Sequence, residues 1–266
     1  MIKFRFWRLG FVICLVVVLW TLGVSARAAP DPNLTAKQIQ DQVENINEPK
    51  DQSADMIMTL IDKKGKKSIR KVKMWSMGDR QRIIKFQSPA DVKGVGFLVL
   101  NPDRPDEKMY LYLPAFKKIR RIAGSSKKSS FMGSDFSYDD IGSTSYSENY
   151  IPKRLPDQNG MYVIENNRKP GSDKEYEKMV AWISPDDFIF RKVEFYKKKT
   201  VKDKKELVLQ KRMRIERVEK INKYNIMKIF TMEDVTKQHK TVMELENIKF
   251  DQGLPDSLFT KRYLQR

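Results

Sequence analysis

Very few side chains in this chain of 266 residues could act as a nucleophile, a general base or a soft metal ligand. The sequence contains one histidine, His239, and one cysteine, Cys14. His239 is predicted in a Lys-Gln-His-Lys turn between two strands, and this neighbourhood offers it neither an apolar nor a carboxylate-lined setting. We therefore expect no Ser-His-Asp or Cys-His triad and no histidine-based zinc site.

Two pairs of adjacent acids keep paired-carboxylate hydrolysis open as an alternative. These are Asp139 with Asp140 and Asp186 with Asp187, and glycoside hydrolysis uses two carboxyl groups of this kind. Both pairs are predicted in loops or turns, where adjacent acids are common. The glycines at 94 and 96 precede a strand rather than a helix, so they do not predict a dinucleotide-binding loop. The residues favour a protein that is not an enzyme and holds no cofactor and no metal.

The most unusual segment runs from 131 to 141 and reads Phe-Met-Gly-Ser-Asp-Phe-Ser-Tyr-Asp-Asp-Ile. Ordinary surface loops are mostly polar, so the apolar side chains of this segment must be buried against something. Three interpretations remain open: a plug that fills the end of a barrel, a movable lid over an apolar cavity, or a calcium site at Asp135 and Asp139. As a lid, the segment would contribute Phe131, Met132, Phe136, Tyr138 and Ile141.

The elements that position these residues are predicted to be mainly β-strands. Apolar and polar residues alternate along most of the chain, most clearly between 207 and 216. About ten strands, mostly joined by hairpins, predict an antiparallel meander that is strongly curved or partly closed. Thr35 is a good N-cap for a short helix that ends before Pro49. The apolar stripe of this helix consists of Ile39, Val43 and Ile46.

Methionine is frequent, with 13 residues, and many of them fall on the predicted strands. Its side chain is unbranched and polarisable, so it fills irregular space and adapts to varied apolar partners. A methionine-rich core is the more frequent explanation of such a pattern. A lining that accepts and releases apolar chains is the alternative.

The first 28 residues have the layout of a cleavable secretory signal peptide. Basic residues precede an apolar run from 9 to 22, and Ala26 and Ala28 supply the small residues that signal peptidase needs. The run is shorter than the roughly 20 residues of a membrane-spanning helix, and an uncleaved anchor is the alternative. Cys14 lies inside this run and is not expected to carry a lipid. We therefore predict cleavage near Ala28 and one soluble, cysteine-free domain from 29 to 266.

The chain is strongly basic, and its predicted export restricts the possible partners. The net charge is +18, or about +14 without the first 28 residues, which carry four basic and no acidic side chains. In a cytoplasmic protein such a charge would suggest nucleic acid. Export argues against nucleic acid and leaves lipid headgroups, lipopolysaccharide and acidic polymers. A solvated surface that only aids solubility and a surface that faces an anionic membrane both remain open.

The exported, cysteine-free meander is similar to the LolA-like outer-membrane lipoprotein-sorting family. The run from Phe131 to Asp140 is the most specific part of this resemblance. The ending Phe-Asp-Gln-Gly-Leu-Pro-Asp-Ser-Leu-Phe-Thr, from 250 to 260, supports it. The likeness covers essentially the whole chain after the signal peptide. It implies a half-open antiparallel β-barrel with short helices that form a lid over an apolar cavity.

The resemblance also implies which residues line and cover that cavity. Inward-facing strand residues would form the lining, and the expected ones are Met56, Met58, Leu60, Met74, Phe86, Leu111, Trp182, Phe195 and Met213. The helix from Thr35 to Glu48 would be one lid element. The segment from 131 to 141 would be a second part of the lid, or its latch.

The function implied by the resemblance is that of a periplasmic carrier. Such a protein binds lipid or lipoprotein acyl chains in its cavity and delivers them toward the outer membrane. An inner-membrane transporter, an outer-membrane acceptor and an anionic membrane surface are the possible partners, and nucleic acid is not expected. Two alternatives stay open: an envelope-stress regulatory module that binds a membrane regulator with the same half-barrel, and a secreted hydrolase acting on an envelope polymer.

Overall fold

The computed structural model describes residues 28–45, 48–143, 145–201 and 204–266. Cys14, nearly all of the predicted signal peptide and Ile46 of the predicted lid helix therefore lie outside the described residues. Within the described ranges, no helix combines the length and the apolar character needed to cross a membrane.

The described residues form one sheet of thirteen antiparallel strands. In chain order the strands are β1 (Gln52–Ile61), β2 (Lys67–Met77), β3 (Gln81–Ser88), β4 (Gly96–Leu100), β5 (Lys108–Leu113), β6 (Lys118–Ile122), β7 (Tyr150–Gln158), β8 (Met161–Arg168), β9 (Lys178–Ile183), β10 (Phe190–Val201), β11 (Lys204–Ile221), β12 (Tyr224–Asp234) and β13 (His239–Phe250). Their order across the sheet is β6-β5-β4-β3-β2-β1-β13-β12-β11-β10-β9-β8-β7. The first and last strands therefore lie side by side in the middle, and β6 and β7 are the two free edges. The predicted mainly β, half-open antiparallel barrel is confirmed.

The sheet has more strands than the predicted ten, and β7 explains part of the difference. Its sequence contains Pro152 and Pro156, which cannot donate a backbone hydrogen bond. Strand β7 nevertheless forms because it lies at an edge and pairs only with β8. An edge strand tolerates proline because one side of its backbone needs no partner strand.

In the described ranges, three short α-helices accompany the sheet. They are α1 (Ala36–Glu44), α2 (Tyr138–Gly142) and α3 (Lys261–Leu264). Helix α1 begins as predicted, because the Gln38 amide donates to Thr35 Oγ1 (3.2 Å) and the Thr35 amide donates to Gln38 Oε1 (2.9 Å). It ends at the C-cap Asn45, earlier than the expected boundary at Glu48.

The two faces of the sheet are covered by different parts of the chain. The inner face carries the main core, which includes Phe86, Phe97 and Phe131. On the outer face of β3 and β4, the buried residues Ile83 and Leu98 pack with Phe259 and Leu264 of the C-terminal segment. The predicted closing turn and terminal helix are therefore present, and they cover the outside of the half-barrel.

The alternating strand directions give the half-barrel two rims. The closed rim carries the β1–β2, β3–β4, β5–β6, β8–β9, β10–β11 and β12–β13 connections. The open rim carries the β2–β3, β4–β5, β7–β8, β9–β10 and β11–β12 connections. The chain between the edge strands β6 and β7, residues 123–149, contains α2 and the unusual segment 131–141.

Candidate functional site

A cavity of about 490 Å³ lies inside the half-barrel, a volume within the usual range of about 300–1,000 Å³ for ligand pockets. Its lining includes Gln52, Gly78 and Ile226, which lie at strand ends on the open rim. The apolar wall consists of Met56, Met74, Ile84, Met179, Phe195, Met213, Met227, Phe230, Met232, Met243 and Leu245. The cavity is therefore a mainly apolar space that reaches the open rim.

Methionines from neighbouring strands meet on this wall because of the pairing register. Met213 of β11 lies opposite Met232 of β12, and Phe230 of β12 lies opposite Met243 of β13. Residues paired across an antiparallel sheet share a face and lie close together. A wall built from unbranched thioethers can change its shape at low cost.

The structure divides the nine residues expected in the lining into three groups. Those at the cavity wall are Met56, Met74, Phe195 and Met213. Those buried on the same inner face, but packed in the core toward the closed rim, are Met58, Leu60, Phe86 and Leu111. The second group points inward as expected, but the segment 131–141 fills the space in front of it.

Trp182, the ninth residue, requires a correction because its ring lies on the outer face of β9. Its Nε1 donates to Gln158 Oε1 (3.0 Å), and Lys192 Nζ lies 3.3 Å from the ring centroid. The adjacent residues Ala181 and Ile183 are buried in the inner core. Since successive side chains of a strand point to opposite faces, Trp182 must point outward. The continuous apolar run of β9 gave no alternation from which to choose the face.

The first part of the segment 131–141 fills the interior beside the closed rim. Phe131 is fully buried, and its ring centroid lies 5.8 Å from that of Phe86 and 5.3 Å from that of Phe97. Tyr138 meets Phe131 edge-on, with 5.4 Å between the ring centroids. These separations are typical of packed aromatic pairs. At this end, the segment has the packing of a plug.

The remaining apolar residues of the segment lie between the plug and the cavity. Phe136 and Ile141 are on the cavity lining, whereas Met132 is half-buried against the core. Two arginines of the sheet hold the backbone here: Arg70 donates to the Met132 carbonyl and Arg82 to the Ile141 carbonyl. The same segment therefore plugs one end of the half-barrel and walls the cavity at the other.

Asp135 anchors the segment to β13. Its Oδ2 accepts a hydrogen bond from Thr241 Oγ1 at 2.7 Å and lies 2.8 Å from His239 Nδ1. His239 therefore does have a carboxylate beside it, contrary to the sequence expectation. The two residues are 104 positions apart, so the local sequence contained no sign of this contact.

Asp140 anchors the segment to β11 and to the β8–β9 connection. Its Oδ2 lies 3.0 Å from Lys211 Nζ and accepts a hydrogen bond from the Tyr176 hydroxyl at 3.0 Å. The same oxygen accepts from the Ser137 amide (2.8 Å), while Ser137 Oγ accepts from the Asp140 amide (3.0 Å). This capping box starts α2. Its Ser-x-x-Asp pattern was the one readable signal for the helix.

Asp139 takes part in a buried ionic cluster that joins separate parts of the chain. Lys174 Nζ lies 2.7 Å from Asp139 Oδ1 and 2.8 Å from Asp103 Oδ1, and it donates to Ser143 Oγ at 2.7 Å. Burial alone would lower the pKa of Lys174, but Asp139 and Asp103 outweigh burial and raise it. The ammonium group is therefore charged at neutral pH. It ties α2 to the β4–β5 and β8–β9 connections.

These contacts leave the calcium interpretation without a geometric basis. Asp135 is paired with Thr241 and His239, whereas Asp139 is paired with Lys174. In the part of the chain that the structure describes, no three histidine, cysteine or acidic side chains converge as metal ligands.

Helix α1 covers the cavity from the other side. Ile39 is fully buried and Val43 lines the cavity. Glu44, the last residue of α1, accepts hydrogen bonds at Oε1 from the amides of Tyr146 (2.9 Å) and Ser147 (2.8 Å). Its Oε2 accepts from the Ser147 hydroxyl at 2.6 Å. One carboxylate thus fixes the end of α1 to the chain that leads into β7.

Three tyrosines add a polar side to the cavity: Tyr146, Tyr150 and Tyr176. Burial, followed by nearby acids, raises the pKa of each phenol, so all three are neutral at neutral pH. Neutral hydroxyls, together with the Asp139–Lys174 pair, give this side hydrogen-bonding groups. The cavity therefore combines an apolar sheet wall with a polar wall near α2.

Sequence reasoning did not find Glu44, Asp103, Lys174 or Lys211 as site residues. Each is an ordinary charged residue in its local sequence, and each takes its role from a partner that lies far away along the chain. Their contacts depend on how the two halves of the sheet face each other. The only indirect sign was that the mainly apolar segment 131–141 contains three acids, which need cationic or hydrogen-bonding partners when they are buried.

Comparisons with known proteins agree with this architecture. A family model described as "Uncharacterized protein"-like matches residues 78–266, more than half of the chain. No curated protein matches the sequence.

Three solved structures share the fold over most of their length. A DUF1329 family protein from Desulfovibrio piger is 28% identical, with 86% of this chain and 99% of that chain covered and a TM-score of 0.77. A candidate outer membrane lipoprotein-sorting protein domain from Vibrio parahaemolyticus is 26% identical, with 87% and 98% covered and a TM-score of 0.77. A LolA superfamily protein from Nitrosomonas europaea, 21% identical with 86% and 99% covered, has the same fold at a TM-score of 0.68. The chain therefore belongs to the family whose model matches residues 78–266, and its fold is that of these LolA-like solved structures.

Proposed function

We propose that the protein is a periplasmic carrier that binds lipid or lipoprotein acyl chains in its cavity and delivers them toward the outer membrane. The observation that carries this proposal is the mainly apolar cavity of about 490 Å³ that reaches the open rim. The LolA-like fold supports it, as does the name of the Vibrio parahaemolyticus relative. Export by the predicted signal peptide would place the mature chain in the periplasm.

Burial of methylene groups would hold the cargo. Each buried CH₂ contributes about 0.8 kcal/mol, so ten of them contribute about 8 kcal/mol before the cost of ordering the chain. The methionine-rich wall would accept acyl chains of different length or saturation because thioether side chains repack easily. Binding and release of the cargo require no covalent step, so the proposed function is that of a carrier and not of an enzyme.

The polar wall would hold the headgroup end of the cargo. Tyr146 and Tyr150 line this side, where their neutral hydroxyls can form hydrogen bonds with ester or amide groups. Delivery would then need a donor in the inner membrane and an acceptor at the outer membrane. Either partner would act by offering the acyl chains a better apolar site.

The experiment that tests this proposal is lipid identification on the mature protein purified from periplasm. Native mass spectrometry should reveal a co-purifying lipid, and a fluorescent fatty acid should bind the delipidated protein. Phe230→Glu places a charge on the cavity wall and should weaken this binding at least about tenfold. Ile229→Glu is the matched control, since Ile229 is adjacent in sequence and lies off the cavity lining. Absence of both lipid and probe binding, or equal loss in the two variants, would contradict the proposal.

A further inference from the structure

We propose that the protein docks on an anionic lipid bilayer through a ridge of lysines at the closed rim. The lysine ridge comprises the ends of three hairpins: residues 61–67 of β1–β2, 237–240 of β12–β13, and 197–201 with 204–207 of β10–β11. The six strands of these hairpins are consecutive in the sheet. In its described residues the ridge contains eleven lysines and two acids.

Most of the ridge charge is not neutralised by acids among the described residues. Three of these lysines, Lys197, Lys198 and Lys237, form ion pairs with described acids. The other eight form none with the described residues, and most of them are exposed. Such a concentration of cationic side chains at one end produces a positive potential toward any surface that the end approaches.

The exposed apolar side chains lie at the same rim. Among the described residues, the large hydrophobic side chains that are exposed are Ile69 (56%), Phe116 (62%), Ile151 (52%) and Leu207 (47%). Leu207, near the start of β11, belongs to the ridge, and Ile69, near the start of β2, lies directly beside it. Phe116 lies in the β5–β6 connection and Ile151 near the start of β7, so both also belong to the closed rim.

The β10–β11 hairpin brings the two kinds of side chain together on a projecting arm. Strand β12 pairs with β11 only from Lys211 onward. Beyond that point, β10 and β11 continue through six pairs, from Tyr196 opposite Leu209 to Val201 opposite Lys204. At about 3.3 Å per residue the arm extends for roughly 20 Å.

On this arm, Lys198 lies opposite Leu207, so an ammonium group and an exposed apolar side chain share one face. A bilayer interface offers partners for both, because its headgroups are anionic and its acyl boundary is apolar. A soluble polyanion would use the lysines alone and leave the four apolar side chains in water. The combination therefore fits an anionic bilayer.

The opposite rim does not share this character. The five connections of the open rim contain six acids and three basic residues. An anionic membrane would therefore attract the lysine ridge more strongly than the open rim. None of the ridge residues lines the cavity, so a protein docked through the ridge keeps the cavity lining free for a ligand. The inference thus goes beyond the carrier function and does not depend on the cargo.

Sedimentation of the full-length mature protein with vesicles tests the docking. We expect binding to vesicles that contain phosphatidylglycerol, weakening with salt, and little binding to pure phosphatidylcholine. The ridge variant Lys204→Glu/Lys205→Glu should bind at least about tenfold more weakly. The control Arg80→Glu/Lys220→Glu changes the net charge equally at the open rim and should stay within about twofold of the unchanged protein. Equal binding to both vesicle types, or equal loss in both variants, would overturn the proposal.

A second variant separates a bilayer from a soluble polyanion. Ile69→Ser/Leu207→Ser changes two exposed side chains and should weaken vesicle binding several-fold without changing retention on polyphosphate. Unchanged vesicle binding in this variant would show that Ile69 and Leu207 do not contact the bilayer. The proposal that the ridge binds a bilayer would then be wrong. Binding of a fluorescent fatty acid, measured in the same variants and in the presence of vesicles, should be unaffected. Loss of that signal alone would count against the carrier proposal and leave the docking intact.

Discussion

The two ends of the half-barrel interior are built from similar strand residues but differ in what covers them. Toward the closed rim, Met58 and Phe86 are at most 1% exposed, and the ring of Phe131 packs against that of Phe86. Toward the open rim, Met213 and Phe230 face a cavity. Strand alternation decides that all of these residues point inward, and one inserted segment decides which of them remain accessible.

The difference assigns separate tasks to the two ends. The closed end is packed and cross-linked by polar contacts, so it can carry stability. The open end is less tightly packed because it contains the cavity, and its methionine side chains can rearrange around a bound ligand. Substitutions should therefore act mainly on folding at the closed end and mainly on ligand binding at the open end.

The strongest test of this contrast compares two phenylalanines. Phe131→Ala should lower the free energy of unfolding by about 3–5 kcal/mol, because it empties a fully buried site. Phe230→Ala should cost about 1 kcal/mol or less, since its ring already borders empty space. Urea unfolding followed by circular dichroism measures both values. Equal losses would show that the two ends do not differ in packing.

The ionic cluster beside α2 should produce the next largest effect. Lys174→Met leaves Asp103 and Asp139 buried without their cation, so we expect a loss of about 3–5 kcal/mol in unfolding free energy. Lys128→Met, at an exposed position, should change it by no more than about 0.5 kcal/mol. The comparison uses the same urea titration. A small effect of Lys174→Met would mean that the cluster does not tie α2 to the sheet.

The contact between the plug and β13 should contribute less. Asp135→Asn weakens the interaction with Thr241 and His239, and we expect a loss of about 1–3 kcal/mol. Amide hydrogen exchange should show faster exchange in residues 131–141 than in β13. Asp173→Asn is the control, because that side chain is 66% exposed. Unchanged exchange in the segment would argue that its aromatic residues alone hold it.

The smallest effects concern pH, and they have opposite signs at the two ends. At the closed end, burial would raise the pKa of Asp234, but hydrogen bonds from Thr236 and Lys237 outweigh burial and lower it. This carboxylate therefore stabilises the fold above its ordinary pKa of 3.8, and the contribution is lost as the pH falls. At the open end, burial and then Asp79 raise the pKa of Glu48. Its ionisation therefore opposes folding as the pH rises.

Two variants separate these contributions. Glu48→Gln should raise the stability at neutral pH by a few tenths of a kcal/mol, since solvent screens this partly exposed group. Asp234→Asn should lower stability at neutral pH and flatten the decline toward low pH. The measurement is the free energy of unfolding between about pH 3 and pH 7. Parallel curves for both variants and the unchanged protein would contradict the assignments.

Much of the fold could be predicted because it depends on local patterns. Thr35 and Gln38 specify the start of α1 through a capping box, and alternation specified most strands of the meander. The missed strand β7 shows the limit, because Pro152 and Pro156 are compatible with a strand only at an edge. Edge position is a property of the assembled sheet and is not encoded in the nine residues of the strand.

The candidate site was predicted less completely, for the same physical reason. Met56 and Met58 have the same residue type and the same strand phase, yet only Met56 borders the cavity. Trp182 could not be assigned a face because the run from Met179 to Ile183 in β9 is entirely apolar. In both cases the sequence did not show which other part of the chain packs against each face of the strand.

By itself, the sequence determined a strongly basic chain whose single cysteine is Cys14, and strands with one apolar face, and it predicted a signal peptide at the N-terminus. Only the tertiary structure decided that three acids of the segment 131–141 meet partners on other strands and loops, and that the cavity remains open at one rim. Local patterns act through backbone geometry and burial over a few residues. Contacts such as Asp135 with Thr241, 106 positions apart, exist only after the sheet has closed around the segment.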